Sequence, residues 1–252
     1  MRLLISGIIM FLALSCQTVI QPQGYEYENV SIDSKADTLI DQQYENILAP
    51  YRNQITDEMN RVIAYSDKAL ISDRPESPLS NFLSDMILEF GENYSRKQNL
   101  NFVPHFSLFN HGGIRASLPE GEIKVLNAFQ IMPFENEIVM LQLTGNQVVE
   151  LANYIAMRRG EGVAGISFGM LEDKAINIKI EGESINANAY YWLVTSDYIA
   201  NGGDGMSVLT KARQRIDTGF LIRNVLIDMF EQMTRDNETI HAVSDGRLYY
   251  AE

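Results

Sequence analysis

The residue pattern predicts an α+β fold in which mixed sheets pack against helices. Segments with a single apolar stripe at helical spacing alternate with short strand-like runs. Their order has no regular βαβ rhythm, which argues against a doubly wound parallel sheet. Of the 252 residues, 46% are hydrophobic and 21% charged, a globular balance with enough chain to bury a sizeable core.

The chain opens on Met1-Arg2, an apolar run from Leu3 to Leu14, then Ser15-Cys16. A basic start, about a dozen apolar residues and a small residue before a cut describe a secretory signal. The run is shorter than the roughly 20 apolar residues a spanning helix needs. Ala13-Leu14-Ser15-Cys16 resembles a bacterial lipobox, and Cys16 is the one cysteine in the chain. Residues 1–15 are therefore expected to be a lipoprotein signal peptide, and residues 16–36 a lipidated Cys16 and flexible tether. Residues 37–252 are expected to form the folded domain. Gln17 stands where an Asp retains many lipoproteins at the inner membrane, so the expected address is the bacterial cell envelope, anchored at the outer membrane.

From Thr38 to about Ile63 the pattern is helical, with Pro50 expected to break or kink it. Ser77-Pro78 opens a clearer helix, a capping residue followed by proline at the first helical position. Leu79, Phe82, Leu83, Met86, Ile87 and Phe90 form its stripe, and Gly91 is the expected stop. Strands are expected at 106–109, 137–143, 165–171, 175–180, 190–195 and 247–250. Thr144-Gly145-Asn146-Gln147 fits a capping box before Val148, Leu151, Ala152 and Ile155. Thr218 is expected to cap a last helix with Ile222, Val225, Leu226, Met229, Phe230 and Met233 inward.

The chain carries 33 acidic and 20 basic residues, a formal charge of -13. A nucleic-acid binder would show the opposite excess, so that class of partner is excluded. The three histidines, His105, His111 and His241, are scattered and lack metal-ligand spacing. No Gly-x-Ser-x-Gly elbow and no P-loop occurs.

Four segments concentrate groups suited to a ligand. Asn110-His111-Gly112-Gly113-Ile114-Arg115 follows a strand; paired glycines allow close backbone approach, and Arg115 can grip an anion with two prongs. Pro133-Phe134-Glu135-Asn136 offers a ring to stack on a base and an amide for its edge. Tyr198 through Gly205 combines an aromatic, a glycine turn and the Asp204 carboxylate. Arg74 precedes the Ser77-Pro78 cap, near a helix N-terminus that favours phosphate. Taken singly, each also fits an ordinary role: a tight turn, a core phenylalanine, a loop carboxylate holding backbone amides, a solvated arginine.

Taken together and in order, these stretches resemble the C-terminal domain of the 5'-nucleotidase family, which includes ecto-5'-nucleotidases and bacterial UDP-sugar hydrolases. The matching segments are Asn81 to Asp85, Asn110 to Arg115, Pro133 to Asn136, Leu143-Thr144-Gly145, and Tyr198 to Gly205. They span roughly Asp37 to Thr210. The resemblance implies that domain's fold, and substrate-binding roles for eight residues. Arg115 would bind phosphate, with Arg74 as a second arginine. Asn110 would brace the phosphate loop, and Phe134 and Tyr198 would sandwich the base. Asn136 would bond the base, Asp204 would hold ribose hydroxyls, and Gly165 would let backbone approach the nucleoside. His111 and Glu135 replace usual glycines, and Tyr198 stands where phenylalanine is common.

In that family, hydrolysis belongs to a separate metallophosphatase domain whose ligands hold two metal ions. None of its motifs, Asp-x-His, Gly-Asn-His-(Asp/Glu) or Gly-His-x-His, occurs here. The resemblance thus implies the nucleotide-recognition half of a 5'-nucleotidase or UDP-sugar hydrolase, active in nucleotide catabolism. It would have no catalytic residue or cofactor of its own, and a partner metallophosphatase chain would carry the divalent pair. The alternative is a nucleotide- or nucleoside-binding lipoprotein without catalysis.

Overall fold

The computed structural model describes residues 41–251. The signal, Cys16 and tether expectations lie outside those residues. The described residues from Tyr51 onward belong to one compact unit. Helix α1 (Gln42–Asn60) continues through Pro50 and buries no residue. It ends short of Ile63, which is a fully covered residue of strand β1 (Val62–Ser66).

Local signals account for the next helix start. In α2 (Pro78–Lys97) the Ser77 hydroxyl accepts from Ser80 N at 3.2 Å, and Ser80 Oγ accepts in return from Ser77 N at 3.0 Å. That reciprocal pair satisfies backbone donors that the helix leaves orphaned. The helix does not stop at Gly91 but runs on to Lys97. A Cβ at Gly91 would sit 2.5 Å from Val194 Cγ2 and 3.3 Å from Pro104 Cγ. The glycine serves close helix–strand approach rather than termination. The buried face is correspondingly rotated: Ser80, Ser84, Gly91 and Ser95 are covered, while Phe82 and Phe90 are only partly so.

A five-stranded sheet organises the domain. Its order is β10 (Gln214–Leu221), β4 (Glu137–Thr144), β9 (Tyr190–Ser196), β2 (Phe106–Phe109) and β5 (Gly162–Ala164). Successive side chains of a strand point to opposite faces. The pleat therefore feeds two cores. Ile138 and Met140 of β4, Trp192 and Val194 of β9 and Phe109 of β2 join one cluster. Val139, Leu141, Leu143, Leu193, Phe106 and Leu108 join the other. The first is roofed by α2, by the short helix α3 (Val125–Ile131) and by α6 (Ile222–Arg235). The second is closed by α4 (Gly145–Met157) and by a four-stranded sheet, β11 (Leu248–Tyr250), β6 (Ile166–Leu171), β7 (Lys174–Ile180) and β8 (Glu183–Ser184). A separate antiparallel pair joins β1 to β3 (Gly121–Lys124).

The capping box expected at Thr144 is present, with Gln147 N donating to Thr144 Oγ1 at 3.2 Å. The cap expected at Thr218 is not. Thr218 lies within β10, and its hydroxyl donates to the Ile138 carbonyl at 2.7 Å across to β4. Helix α6 starts only at Ile222, without a side-chain cap. Its apolar stripe is as expected: Ile222, Val225, Leu226 and Phe230 are covered, with Met229 and Met233 packed alongside.

Strand direction determines where loops gather. β2 and β9 are parallel, so both end at the same edge of the sheet. β4 is antiparallel to β9, so it begins at that edge. The segment after β2, the segment before β4 and the segment after β9 must therefore meet. These are the Asn110, Phe134 and Tyr198 stretches.

Candidate functional site

At this edge lies a cleft of about 330 Å³ lined by Asn110, Gly112, Gly113, Arg115, Phe134, Asn136, Tyr198 and Asp204. Six of the eight residues singled out in the sequence share it. They come from three loops separated in the chain and joined by the sheet.

The first loop leaves β2 in a 3₁₀ turn over His111–Gly113, with Gly113 N donating to the Asn110 carbonyl at 2.9 Å. A Cβ at Gly113 would lie 2.8 Å from Asn110 Oδ1, so a side chain there would push the Asn110 amide aside. Arg115 N donates to the Ile131 carbonyl at 2.9 Å, which anchors the loop's far end. The exposed Arg115 guanidinium lies 5.1 Å from the Phe134 ring centroid.

The second loop is held from below by Arg223, which is buried on α6. Its guanidinium donates to the carbonyls of Met132 and Phe134, both at 3.3 Å, and to the Glu135 carboxylate. It also packs 4.2 Å over the Phe129 ring. The negative charge that Glu135 brings to this loop is thus paired. Asn136 is tied down through its carbonyl, which accepts from Ile222 N at 2.9 Å.

The third loop begins at β9, where α5 (Asp197–Ala200) is capped by Ser196. Asp197 Oδ1 accepts from Tyr198 N at 2.8 Å and from Glu137 N at 3.1 Å, clipping the third loop to the second. Gly202, Asp204 and Gly205 all have positive φ, at 87°, 52° and 82°. Aspartate tolerates that left-handed conformation better than most residues. The turn brings Asp204 back over Tyr198, whose hydroxyl donates to Oδ1 at 3.0 Å and accepts from Asp204 N at 3.2 Å. A Cβ at Gly203 would stand 2.6 Å from Tyr198 Cε1, so the missing side chain makes room for the ring.

Behind the cleft runs a network that the motifs do not announce. Asp204 Oδ2 accepts from Asn110 Nδ2 at 2.9 Å and contacts an Arg158 guanidinium nitrogen at 3.4 Å. The Asp204 carbonyl accepts from Tyr154 at 2.8 Å. Arg158 Nε donates to Glu161 Oε1 at 2.7 Å. Burial opposes the Arg158 charge, but Glu161 and then Asp204 outweigh it and hold that pKa above its ordinary value. The Glu161 carboxylate is fully covered and also accepts from the His111 backbone N–H. It therefore ties the first loop to the third. The sequence signal for this lies in Arg158-Arg159-Gly160-Glu161, charged residues crowded against a helix end, but nothing local names their partners.

Arg74 and Gly165 do not line the cleft. Arg74 donates to Glu161 Oε1 at 3.1 Å and to the Arg158 carbonyl, so its guanidinium is engaged behind the site. Gly165 has φ +72°, and a Cβ there would meet the His105 carbonyl at 2.2 Å. Its freedom serves packing of the chain on β2.

The donor set does not suit a pair of divalent cations. Asp204 is the single carboxylate among the cleft-lining residues, and both its oxygens already face donors. Among the described residues, no three His, Cys, Asp or Glu side chains cluster to hold a metal. What the cleft presents is an arginine, two aromatic rings, two amides and one carboxylate. Such groups offer charge, stacking and hydrogen bonds.

Residues 62–211 match the family model described as 5'-nucleotidase, C-terminal domain. Among curated proteins, the chain is 28% identical over 225 residues to the trifunctional nucleotide phosphoesterase protein YfkN of Bacillus subtilis, covering 80% of this chain and 14% of that one. It is 26% identical over 190 residues to a 5'-nucleotidase of Vibrio vulnificus, covering 73% and 33%. Among solved structures, a 5'-nucleotidase precursor from Thermus thermophilus is similar with a TM-score of 0.69 and 27% identity, covering 82% of this chain and 43% of that one. The chain thus spans less than half the length of each of these relatives.

Proposed function

The chain belongs to the 5'-nucleotidase family, whose C-terminal domain it carries, and on that premise we propose that its cleft binds a nucleotide for a phosphohydrolase acting in nucleotide catabolism. The observation that carries this reading is the convergence of Arg115, Asn110, Phe134, Asn136, Tyr198 and Asp204, from three loops, on one cleft. Arg115 meets the phosphate with two parallel N–H donors. Phe134 and Tyr198 offer their faces to the base, Asn136 its amide to the base edge, and Asp204 its carboxylate to sugar hydroxyls. Asn110 braces the glycine turn while holding Asp204.

No step of hydrolysis is assigned to these residues, because the cleft's donors do not fit the metal pair such chemistry uses. The recognition half works, in this proposal, with a separate metallophosphatase chain that carries the divalent ions. It is held at the bacterial envelope through a lipid on Cys16.

Titration of AMP into the purified domain, with and without Arg115→Ala, tests the binding. Charged hydrogen bonds contribute about 1.5–3 kcal/mol, so the variant should bind roughly ten- to a hundredfold more weakly. Equal affinity of the two forms, or no binding by the native chain, contradicts the reading. Phosphate release from AMP on adding a co-purifying phosphatase with divalent metal tests the partnership. Fractionation of the Cys16→Ala variant tests the anchor.

A further inference from the structure

We propose that the Tyr198 hydroxyl determines how the cleft reads the sugar: it occupies an acceptor position of Asp204 that a ribose diol would use, leaving that carboxylate room for one hydroxyl. The inference rests on the nucleotide-binding reading above and deepens it.

An ionised carboxylate offers about four acceptor positions, two on each oxygen. On Oδ2, Asn110 takes one at 2.9 Å, and the Arg158 guanidinium crowds the second at 3.4 Å. On Oδ1, the Tyr198 hydroxyl takes one at 3.0 Å. One position on Oδ1 remains. A vicinal diol gripped by a carboxylate uses two acceptor positions, one for each O–H. This site can therefore satisfy a single sugar hydroxyl and must leave the other to water.

The arrangement is held from several sides. The Tyr198 oxygen also accepts from Asp204 N at 3.2 Å, so it bonds the backbone and the carboxylate of one residue together. The ring lies where a Gly203 Cβ would intrude, and Asp204 itself sits at φ 52° to make the return. Arg158 is held beside Oδ2 by its ion pair with the covered Glu161. A phenylalanine at this position would stack as well but would leave Oδ1 open.

The test is calorimetric titration of AMP and 2'-deoxy-AMP into the native domain and into Tyr198→Phe. The native protein should bind the two ligands within about threefold of each other, since only one hydroxyl is read. Tyr198→Phe should strengthen AMP by about tenfold, the worth of one added hydrogen bond to a charged group at its lower end, and leave 2'-deoxy-AMP within about twofold. A native preference for AMP above about tenfold overturns the inference while sparing the nucleotide-binding reading. So does a Tyr198→Phe variant that weakens both ligands equally, because the hydroxyl would then only position the ring. Failure of both ligands to bind the native protein overturns both.

Discussion

Replacing Glu161 by Gln removes the one charge on which the back of the cleft depends. The carboxylate is fully covered and accepts from Arg74 at 3.1 Å, from Arg158 at 2.7 Å and from the His111 N–H. The amide keeps one oxygen for the two arginines, which both meet Oε1, loses the charge that balances them, and sets its N–H₂ against the His111 N–H. Breaking a buried ion pair by removing one partner costs about 3–5 kcal/mol. The Arg74 and Arg158 side chains remain 29% and 26% exposed, so water recovers part of that loss. The expected destabilisation is about 2–4 kcal/mol, a fall in Tm of about 5–15 °C for a domain of this size. Thermal unfolding followed by circular dichroism reads it directly. Adding Arg74→Met should restore part of the loss, because it removes one of the stranded charges. AMP affinity should also fall, since Arg158 would lose its anchor beside Asp204. A Tm change under about 2 °C would refute the account, showing that solvent, not Glu161, balances the two arginines.

Three other outcomes are expected. Gly91→Ala should destabilise by about 1–3 kcal/mol in urea unfolding, less up to about 1 kcal/mol of helix propensity gained, because the new Cβ meets Val194 at 2.5 Å. A neutral or stabilised Gly91→Ala would show that α2 can lift off β9 freely. Arg223→Met should leave the Phe134 loop without its two carbonyl contacts and the Glu135 pair, weakening AMP severalfold and quickening amide exchange over residues 132–136. Unchanged exchange there would mean the loop is held by other bonds. Burial holds the His105 pKa below its ordinary value, and Nδ1 accepts from Trp192 N at 3.0 Å. The folded state therefore favours neutral His105: its contribution is complete above the unfolded pKa, near about 6.5, and is lost as pH falls through the depressed folded value. The urea midpoint should drop more steeply below about pH 6.5 in the native chain than in His105→Gln, and identical slopes would count against that role.

The legible parts of this molecule are those whose partners lie within a few residues. Ser77 and Thr144 cap helices because the donors they meet stand three residues on, at Ser80 and Gln147. The stripes of α4 and α6 follow from periodicity alone. Gly91 and Thr218 mislead for the opposite reason. Their residue types suit a helix stop and a helix cap, but their actual partners, Val194 and Ile138, lie 80 or more residues away in the chain. In each case a cross-strand or helix–strand contact overrides a sound local preference. Strand β10 is hidden along with Thr218, because its pairing with β4 matters more than its own modest apolar content.

Residue order alone identifies the groups that can touch a ligand, because glycine turns, a proline-set phenylalanine and a lone loop carboxylate are chemically distinctive where they stand. Which of them meet depends on long-range strand pairing. Parallel β2 and β9, with β4 running against them, put three loops at one edge and leave Gly165 elsewhere. Charge pairing depends on the assembled fold in the same way. Arg74 has the look of a free phosphate ligand and is bound to Glu161; Glu135 has no local counter-charge and is paired with Arg223; Tyr198 reads as a stacking ring and also bonds Asp204. One cause underlies all three. A side chain's type fixes what it can bond, but a buried or crowded charge takes whichever partner the fold brings within about 3 Å, and that distance is not written in the local order of residues.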